Sequence, residues 1–337
     1  MMRILIFPPI TRNGKFPSGS KASPLEIRKD QRQKFDLHKE SKKAKIWIDF
    51  ENPNEEDLYF LSQNCGFHPL AIEDCVNRNQ RPKFEDYEDH AFIVLHNFSS
   101  PSGSKQLLAR ETHAFFNHNF IVTVHEHNEN IIDNLWSRCC TEANLVAKGT
   151  DHFLYVLFDF LVDSNFPILD EVSEGITDLE NQILTKEVQP DFVTDMLFLK
   201  RNLVRMRRVL SPQREVLNLI MRHENKFLTQ RIRFYFRDVY DHLSRLVETI
   251  DMDRDLIGNS MDAYFSLLSQ KTNEIIKKLT LVSMVFLPLT FLTGFFGMNF
   301  TDLPFSSNTM FWITIGTIGS IPASMMLYFR RKKWFNE

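Results

Sequence analysis

Residues 279–299 read LTLVSMVFLPLTFLTGFFGMN. They carry no charge, and neither do the two residues that follow. About 20 predominantly apolar residues are what a helix needs to cross the hydrocarbon core of a bilayer, so the stretch predicts a first membrane helix. It is not uniformly apolar. Ser283, Thr290 and Gly294 recur at spacings of seven and four, which places them on one helical face, and Asn299 falls near the end of that face. A second uncharged stretch, 309–329, follows a loop over 301–308 and predicts a second membrane helix. Lys277 and Lys278 precede the first; Arg330, Arg331, Lys332 and Lys333 open the basic tail 330–337 behind the second. The loop between has Asp302 as its charge. The positive-inside rule therefore puts both termini in the cytoplasm and the loop outside, with Trp312 and Trp334 near opposite interfaces.

Outward from these spans lies a long soluble region. The 337 residues allow two domains. A net charge of −3 gives no overall basic balance that would point to nucleic acid. The four cysteines, Cys65, Cys75, Cys139 and Cys140, form no CxxC pair and read as reduced thiols. Residues 1–10 read as a strand ended by two prolines, too short for a signal peptide. Residues 11–45 are rich in Lys, Ser and Gly and read as a loop or insert. Strands are expected at 44–50 and 91–98 and on both sides of Asn117-His118-Asn119 within 111–127; helices are expected at 55–64 and 70–77. Residues 1–130 are thus a mixed α/β domain without a Gly-rich phosphate loop. His113, His118, His125 and His127 lie on these strands and turns with no acid–base constellation and no zinc spacing, so an enzyme is the weakest reading.

The period turns helical near residue 130. Helices are expected over 131–147, over 151 to about 187 and over 191–222, in a region spanning 131–228. The second is acidic (Asp159, Asp163, Asp170, Glu171, Glu174, Asp178, Glu180) and the third basic (Lys200, Arg201, Arg205, Arg207, Arg208, Arg214). A short link at Pro190 predicts a hairpin of the two. Such charge runs are commonly solvated faces, yet acids segregated this cleanly also attract divalent cations. From about Thr229 no strong breaker appears before Pro288, so one helix is expected through Phe296, within a segment 229–300. At 1.5 Å per residue it is on the order of 100 Å long and needs packing partners to be stable in water.

One or two membrane helices cannot enclose a wet path, and a polar stripe facing lipid is costly. If several copies turn that face to a common axis, the stripe lines a pore. Its residues are then Asp262, Asn273, Ile276, Leu279, Ser283, Leu287, Thr290 and Gly294. Polar rings alternate with apolar ones, and apolar rings can gate by dewetting. Small residues on the face would also permit close helix packing.

Gly297-Met298-Asn299-Phe300, placed between two C-terminal membrane helices, resembles the GMN signature of the CorA family of magnesium transport proteins. The likeness extends to LPLTFLTG (287–294), NEIIKKLT (273–280), YFRDVYDHL (235–243), RNLVRMRRVLSPQREVL (201–217), HPLAIEDCVNRNQRPKFE (68–85) and RRKKWF (330–335). It implies an α/β N-terminal cytoplasmic domain, a long helical stalk and two transmembrane helices, assembled as a funnel-shaped homopentamer in the inner membrane. It implies Mg²⁺ influx, with Co²⁺ and Ni²⁺ as secondary substrates. Gly297, Met298 and Asn299 would form the selectivity filter, where neutral amides hydrogen-bond the waters that Mg²⁺ gives up reluctantly. Asp74 and Asp238, with Glu73 and Asp159 as an auxiliary set, would bind regulatory Mg²⁺ between protomers. Unpaired acids facing each other would repel, so bound Mg²⁺ would hold a closed state and its loss would open the gate. Arg330, Arg331, Lys332 and Lys333 would form a basic collar at the cytoplasmic pore mouth.

Two departures stand out. Phe296 occupies the place where the family commonly has Tyr, and the loop Thr301-Asp302-Leu303-Pro304-Phe305 lacks the family's usual Glu. Zn²⁺ transport is an alternative, against which the intact GMN and the absence of His or Cys from the stripe both count. A membrane-anchored cation sensor that conducts nothing is another, set apart by measuring uptake in liposomes.

Overall fold

In the computed structural model, which describes residues 2–7, 23–25, 35–77, 79–101, 103–126, 131–141, 148–185, 188–222, 225–298 and 307–332, seven strands form one sheet. They are β1 (Met2–Phe7), β2 (Ser23–Leu25), β3 (Lys45–Glu51), β4 (Lys83–Asp86), β5 (Ala91–Ser99), β6 (Leu108–Phe116) and β7 (Phe120–His125). Their order is β2-β1-β3-β7-β6-β5-β4. Only β3 and β7 pair in parallel, with Ile48 opposite Val122; the other pairs are antiparallel. Every residue of β5 and β7 is buried, which explains their continuous apolar runs.

One face of the sheet is covered by α1 (Leu37–Glu40), α2 (Glu55–Gln63) and α3 (Pro69–Val76). Ile46, Ile48, Phe50, Phe92, Val94, Phe115, Val122 and Val124 pack there against Phe60, Leu61, Phe67 and Ala71. Phe67 stacks on Phe115 with ring centroids 4.1 Å apart. Local signals start the helices. Asn54 and Asp57 form a reciprocal capping box on α2, and the ring of His68 caps α3 ahead of Pro69. On the other face Trp47 meets Trp136 of α4 (Ile131–Thr141) and Phe153 of α5 (Thr150–Asp163), at 4.9 and 4.7 Å. Its indole N–H donates to Thr123 Oγ1 at 2.9 Å.

Three sequence expectations need correction. The stretch 11–45 contains β2, paired with β1, and the single turn of α1; Leu37 is fully buried there. The strand β4 was not expected; its charged sequence KFED lies at the sheet edge against Ala91–Val94. The acidic helix is two helices, α5 and α6 (Asn165–Thr185), with a turn at Ser164. Pro167 has no N–H to offer the Asp163 carbonyl. The side-chain amide of Asn165 donates to the Leu161 and Val162 carbonyls at the end of α5. Residues 142–147 and 186–187 of the expected helices lie outside the described residues.

The basic helix is α7 (Phe192–Arg222), and α6 folds against it with Gly175 facing Leu199. The long helix is α8 (Ile232–Phe296), 65 residues without a break. Along its first half Ile232, Phe236, Val239, Leu243, Leu246, Ile250, Asp253, Ile257 and Ser260 are buried, at alternating steps of four and three. On α6, Leu169, Val172, Ile176, Leu179 and Ile183 follow the same rule. This is the heptad pattern of packed helices. The contacts Asp163–His242, Ser173–Asp253 and Glu180–Ser260 keep separations of 79, 80 and 80, so α5–α6 and α8 run in the same direction.

The chain divides into two compact units, residues 1–261 and 262–337. The second holds the rest of α8 and α9 (Asn308–Arg331). Among the described residues, three helical stretches are long and apolar enough to cross a membrane: 150–185, α8 and α9. The first is more than half buried within its own unit, whereas almost nothing in the apolar windows of α8 and α9 is buried.

Candidate cation cluster and pore face

In the second unit the less exposed positions of α8 are Tyr264, Leu267, Lys277, Leu281, Val285, Pro288, Leu289, Leu292 and Phe296. At 100° per residue these fall on the half of the helix away from the expected pore face, with Leu267, Leu281, Val285, Pro288, Leu292 and Phe296 opposite it. On that face Asp262, Asn273, Ile276, Leu279, Ser283, Leu287, Thr290 and Gly294 are all exposed, Leu287 at 71% and Leu279 at 65%. Gly297 and Met298 are exposed as well. Among the described residues, no other element covers the polar stripe. Thr290 Oγ1 donates to the Phe286 carbonyl and Thr293 Oγ1 to that of Leu289, on the two sides of Pro288. Asn299, the centre of the expected filter, lies outside the described residues, as do Asp302, Lys333 and Trp334. Arg330, Arg331 and Lys332 are exposed at the end of α9.

In the first unit the sequence-predicted acids divide. Asp74 and Glu73 sit on α3. Asp74 is not an unpaired acid: its Oδ2 lies 2.6 Å from Lys83 Nζ, which also holds Glu85 at 2.7 Å. The reason is β4, which returns Lys83 beneath the helix. Glu73 accepts from the Asn77 side chain. Asp159 and Asp238 belong to a different cluster. Asp159, Asp163 and His242 place one ligand atom each within 4.8 Å of one another, and among the described residues this is the group of carboxylates and imidazoles that could share an ion. Burial, with Asp163 and Asp238 nearby, pushes the Asp159 carboxyl up to about 6 against the pull of His242. Burial and the same carboxylates raise Tyr155 to about 12.

The sequence named Asp163 only as one of a run of acids, and it did not single out His242. Each lies one turn beyond an acid expected to bind the regulatory cation, Asp163 after Asp159 and His242 after Asp238. Two i,i+4 pairs on parallel helices are the signal that marks them. The donors are two carboxylates and an imidazole, with the Asp238 carboxylate adding charge nearby, a set of charge and size fit for a divalent cation; the ring nitrogen suits Co²⁺, Ni²⁺ or Zn²⁺ at least as well as Mg²⁺.

The strand histidines have other partners. His125 Nε2 lies 3.1 Å from Asp49 Oδ1, fully inside the unit, and Arg3 reaches the same carboxylate. His96 and His113 flank Glu111 at 3.6 and 3.5 Å. Burial alone would raise Glu111; the two rings outweigh it and hold the carboxyl down to about 2.

An α/β unit, one helix of 65 residues running out of it, and a second apolar helix behind define a class of protein with a soluble head and a membrane-type helical tail. Residues 42–331 match the family described as CorA-like Mg²⁺ transporter protein, and the chain belongs to that family. The cobalt/magnesium transport protein CorA of Thermotoga maritima is 33% identical over 295 residues, 86% of this chain and 83% of the relative. The zinc transport protein ZntB of Yersinia pestis is 25% identical over 292 residues, 86% and 87% of the two chains. Among solved structures, the complete CorA magnesium transporter from Methanocaldococcus jannaschii superposes with a TM-score of 0.84 at 23% identity, covering 99% of each chain.

Proposed function

We propose that this protein is a membrane channel for Mg²⁺ influx, with Co²⁺ and Ni²⁺ as secondary substrates. It works as a homopentamer in the inner membrane with both termini cytoplasmic. The first membrane helix of each protomer lines one axial path, and Asn299 rings its outer mouth. The observation that carries this reading is the exposed stripe from Asp262 to Gly294, set opposite the face on which the second half of α8 is less exposed. Copies of the chain around an axis give that stripe water on one side and protein on the other. Leu279 and Leu287 then form apolar constrictions that dewet when narrow.

Cytosolic Mg²⁺ regulates the gate. Asp159 and Asp238, joined by Asp163 and His242, form a cation site on α5 and α8, while Glu73 and Asp74 reach it or a neighbouring site from an adjacent protomer. A bound cation neutralises carboxylates that otherwise repel, and cation binding is thereby linked to the closed arrangement. The basic residues Arg330 to Lys333 collar the cytoplasmic mouth. Zn²⁺ remains a second reading, favoured by the imidazole in the cluster and by the zinc transport protein among the relatives.

The test is ion flux into liposomes holding the purified chain, with Mg²⁺, Co²⁺, Ni²⁺ and Zn²⁺ compared at set internal Mg²⁺. Uptake of Mg²⁺ that falls as internal Mg²⁺ rises supports the proposal. A chain that binds these cations yet passes none of them is a sensor, and the channel reading ends there.

A further inference from the structure

The apolar seam of α8 contains two polar side chains, and α6 meets both. Asp253 and Ser260 stand in the same four-and-three series as Val239, Leu246 and Ile257, positions that ordinarily take apolar residues. They are 9% and 4% exposed. Ser173 Oγ lies 2.5 Å from Asp253 Oδ2, and Ser260 Oγ donates to Glu180 Oε1 at 2.9 Å. Burial holds the Asp253 carboxyl above its ordinary range, against the hydrogen bond from Ser173.

The two contacts lie one heptad apart on both helices, 173 to 180 and 253 to 260, and the acid changes sides between them. It is on α8 in the first and on α6 in the second. This crossing distinguishes registers that a plain apolar seam would leave nearly equivalent. A slip of one turn takes Asp253 away from Ser173 and buries a carboxyl against apolar neighbours, which is unfavourable for want of a partner. A slip of one heptad in one direction puts Asp253 opposite Glu180, acid against acid. In the other direction Ser260 faces Ser173 and Leu267 faces Glu180. Only the observed register gives each acid a hydroxyl.

We infer that the crossed pairs Ser173–Asp253 and Glu180–Ser260 are a register lock, positioning residues that fix the axial setting of α8 against α6. A buried polar residue that specifies register generally does so at a cost in stability. A helix is stiff along its axis, so the setting at 253–260 is inherited by residues farther along it. The long helix therefore answers its soluble neighbours by tilting together with α6, not by sliding past it. The bearing on gating rests on the channel reading above; the lock itself does not.

The experiment uses the full chain. A photo-crosslinking amino acid at the exposed Thr177 of α6 reports by mass spectrometry which residues of α8 it reaches. The unaltered seam gives one narrow group of crosslinks. The variant Asp253→Leu with Ser260→Leu should melt at or above the temperature of the unaltered protein, while its crosslinks spread to residues a turn or a heptad away. Its half-maximal internal Mg²⁺ for closing should move by about fivefold or more. Asp253→Asn, which still accepts from Ser173, should keep the single group. Crosslinks that stay in place in the double variant overturn the lock, whether its melting temperature rises or falls. If that variant does not fold, Ser173→Val with Glu180→Leu puts the same question from the less buried helix. Absence of flux from the unaltered protein counts against the channel, while the crosslink pattern still decides the lock.

Discussion

His242 Nδ1 lies 2.8 Å from Asp163 Oδ1, and this contact ties together two one-turn pairs, Asp159 with Asp163 on α5 and Asp238 with His242 on α8. A ring nitrogen among carboxylates gives the cluster a softer donor than an all-oxygen site has. His242→Ala should therefore weaken Co²⁺ and Ni²⁺ more than Mg²⁺. The concentration of Co²⁺ that protects the soluble region from protease should rise by about tenfold or more, with a smaller change for Mg²⁺. Equal shifts for all three ions would remove His242 from the ligand set.

Asp238 adds charge to the same cluster without being one of its closest ligands. Asp238→Ala should weaken the protease protection that Mg²⁺ gives, while the far-ultraviolet circular dichroism stays unchanged. Protection at unaltered Mg²⁺ concentration would take Asp238 out of the sensor.

The filter prediction concerns Asn299. Asn299→Ala should abolish Mg²⁺ uptake in liposomes and leave the oligomer intact on native electrophoresis. Normal flux in that variant refutes the assignment. On the same face, Leu287→Asn should wet an apolar ring and raise the Mg²⁺ leak at high internal Mg²⁺; a leak no larger than in the unaltered chain would place the gate elsewhere.

Asp49 and His125 predict a pH dependence of stability. Burial would raise Asp49, but His125, Arg3 and Thr123 outweigh it and lower its carboxyl below the ordinary 3.8. Burial would lower His125, but Asp49 outweighs it and raises the ring above the ordinary 6.5. The Asp49 contribution is present above 3.8 and is lost as pH falls through its lower folded value. The His125 contribution is complete below 6.5 and is lost as pH rises through its higher folded value. The melting temperature of the solubilised chain should thus decline on the alkaline side of 6.5, and His125→Gln should flatten that part of the curve. A slope unchanged by the substitution would show that other groups cause it.

The fold was readable where burial imposed a pattern on the sequence. AFIVLHNF announces β5 because both of its faces are covered, and the unbroken period from 232 to 296 announces α8. β2 and β4 escaped because three or four residues are too few to show a period. Lys83 and Glu85 moreover hold each other on a strand that is only partly buried. The break between α5 and α6 was written in Asn165 and Pro167, yet a proline near a helix start is also permissible. As for the site, Asp159 and Asp238 came from family likeness, Asp163 was one of seven acids in a run that nothing in the sequence told apart, and His242 came only from the fold. No local pattern records that residues 79 apart lie side by side; the parallel course of two helices does. The pairing of Asp74 with Lys83 was equally hidden, since it depends on a strand the sequence did not announce.

The parallel pairing of β3 with β7 has a consequence for biosynthesis. β3 cannot acquire that neighbour until β4, β5 and β6 have already been translated, because β7 is the last strand to leave the ribosome. Until then Ile46, Ile48 and Phe50 belong to a sheet with an open flank, and long-range pairings of this kind close slowly. The nascent chain is most prone to aggregate in that interval, well before either hydrophobic segment is offered to the insertion machinery.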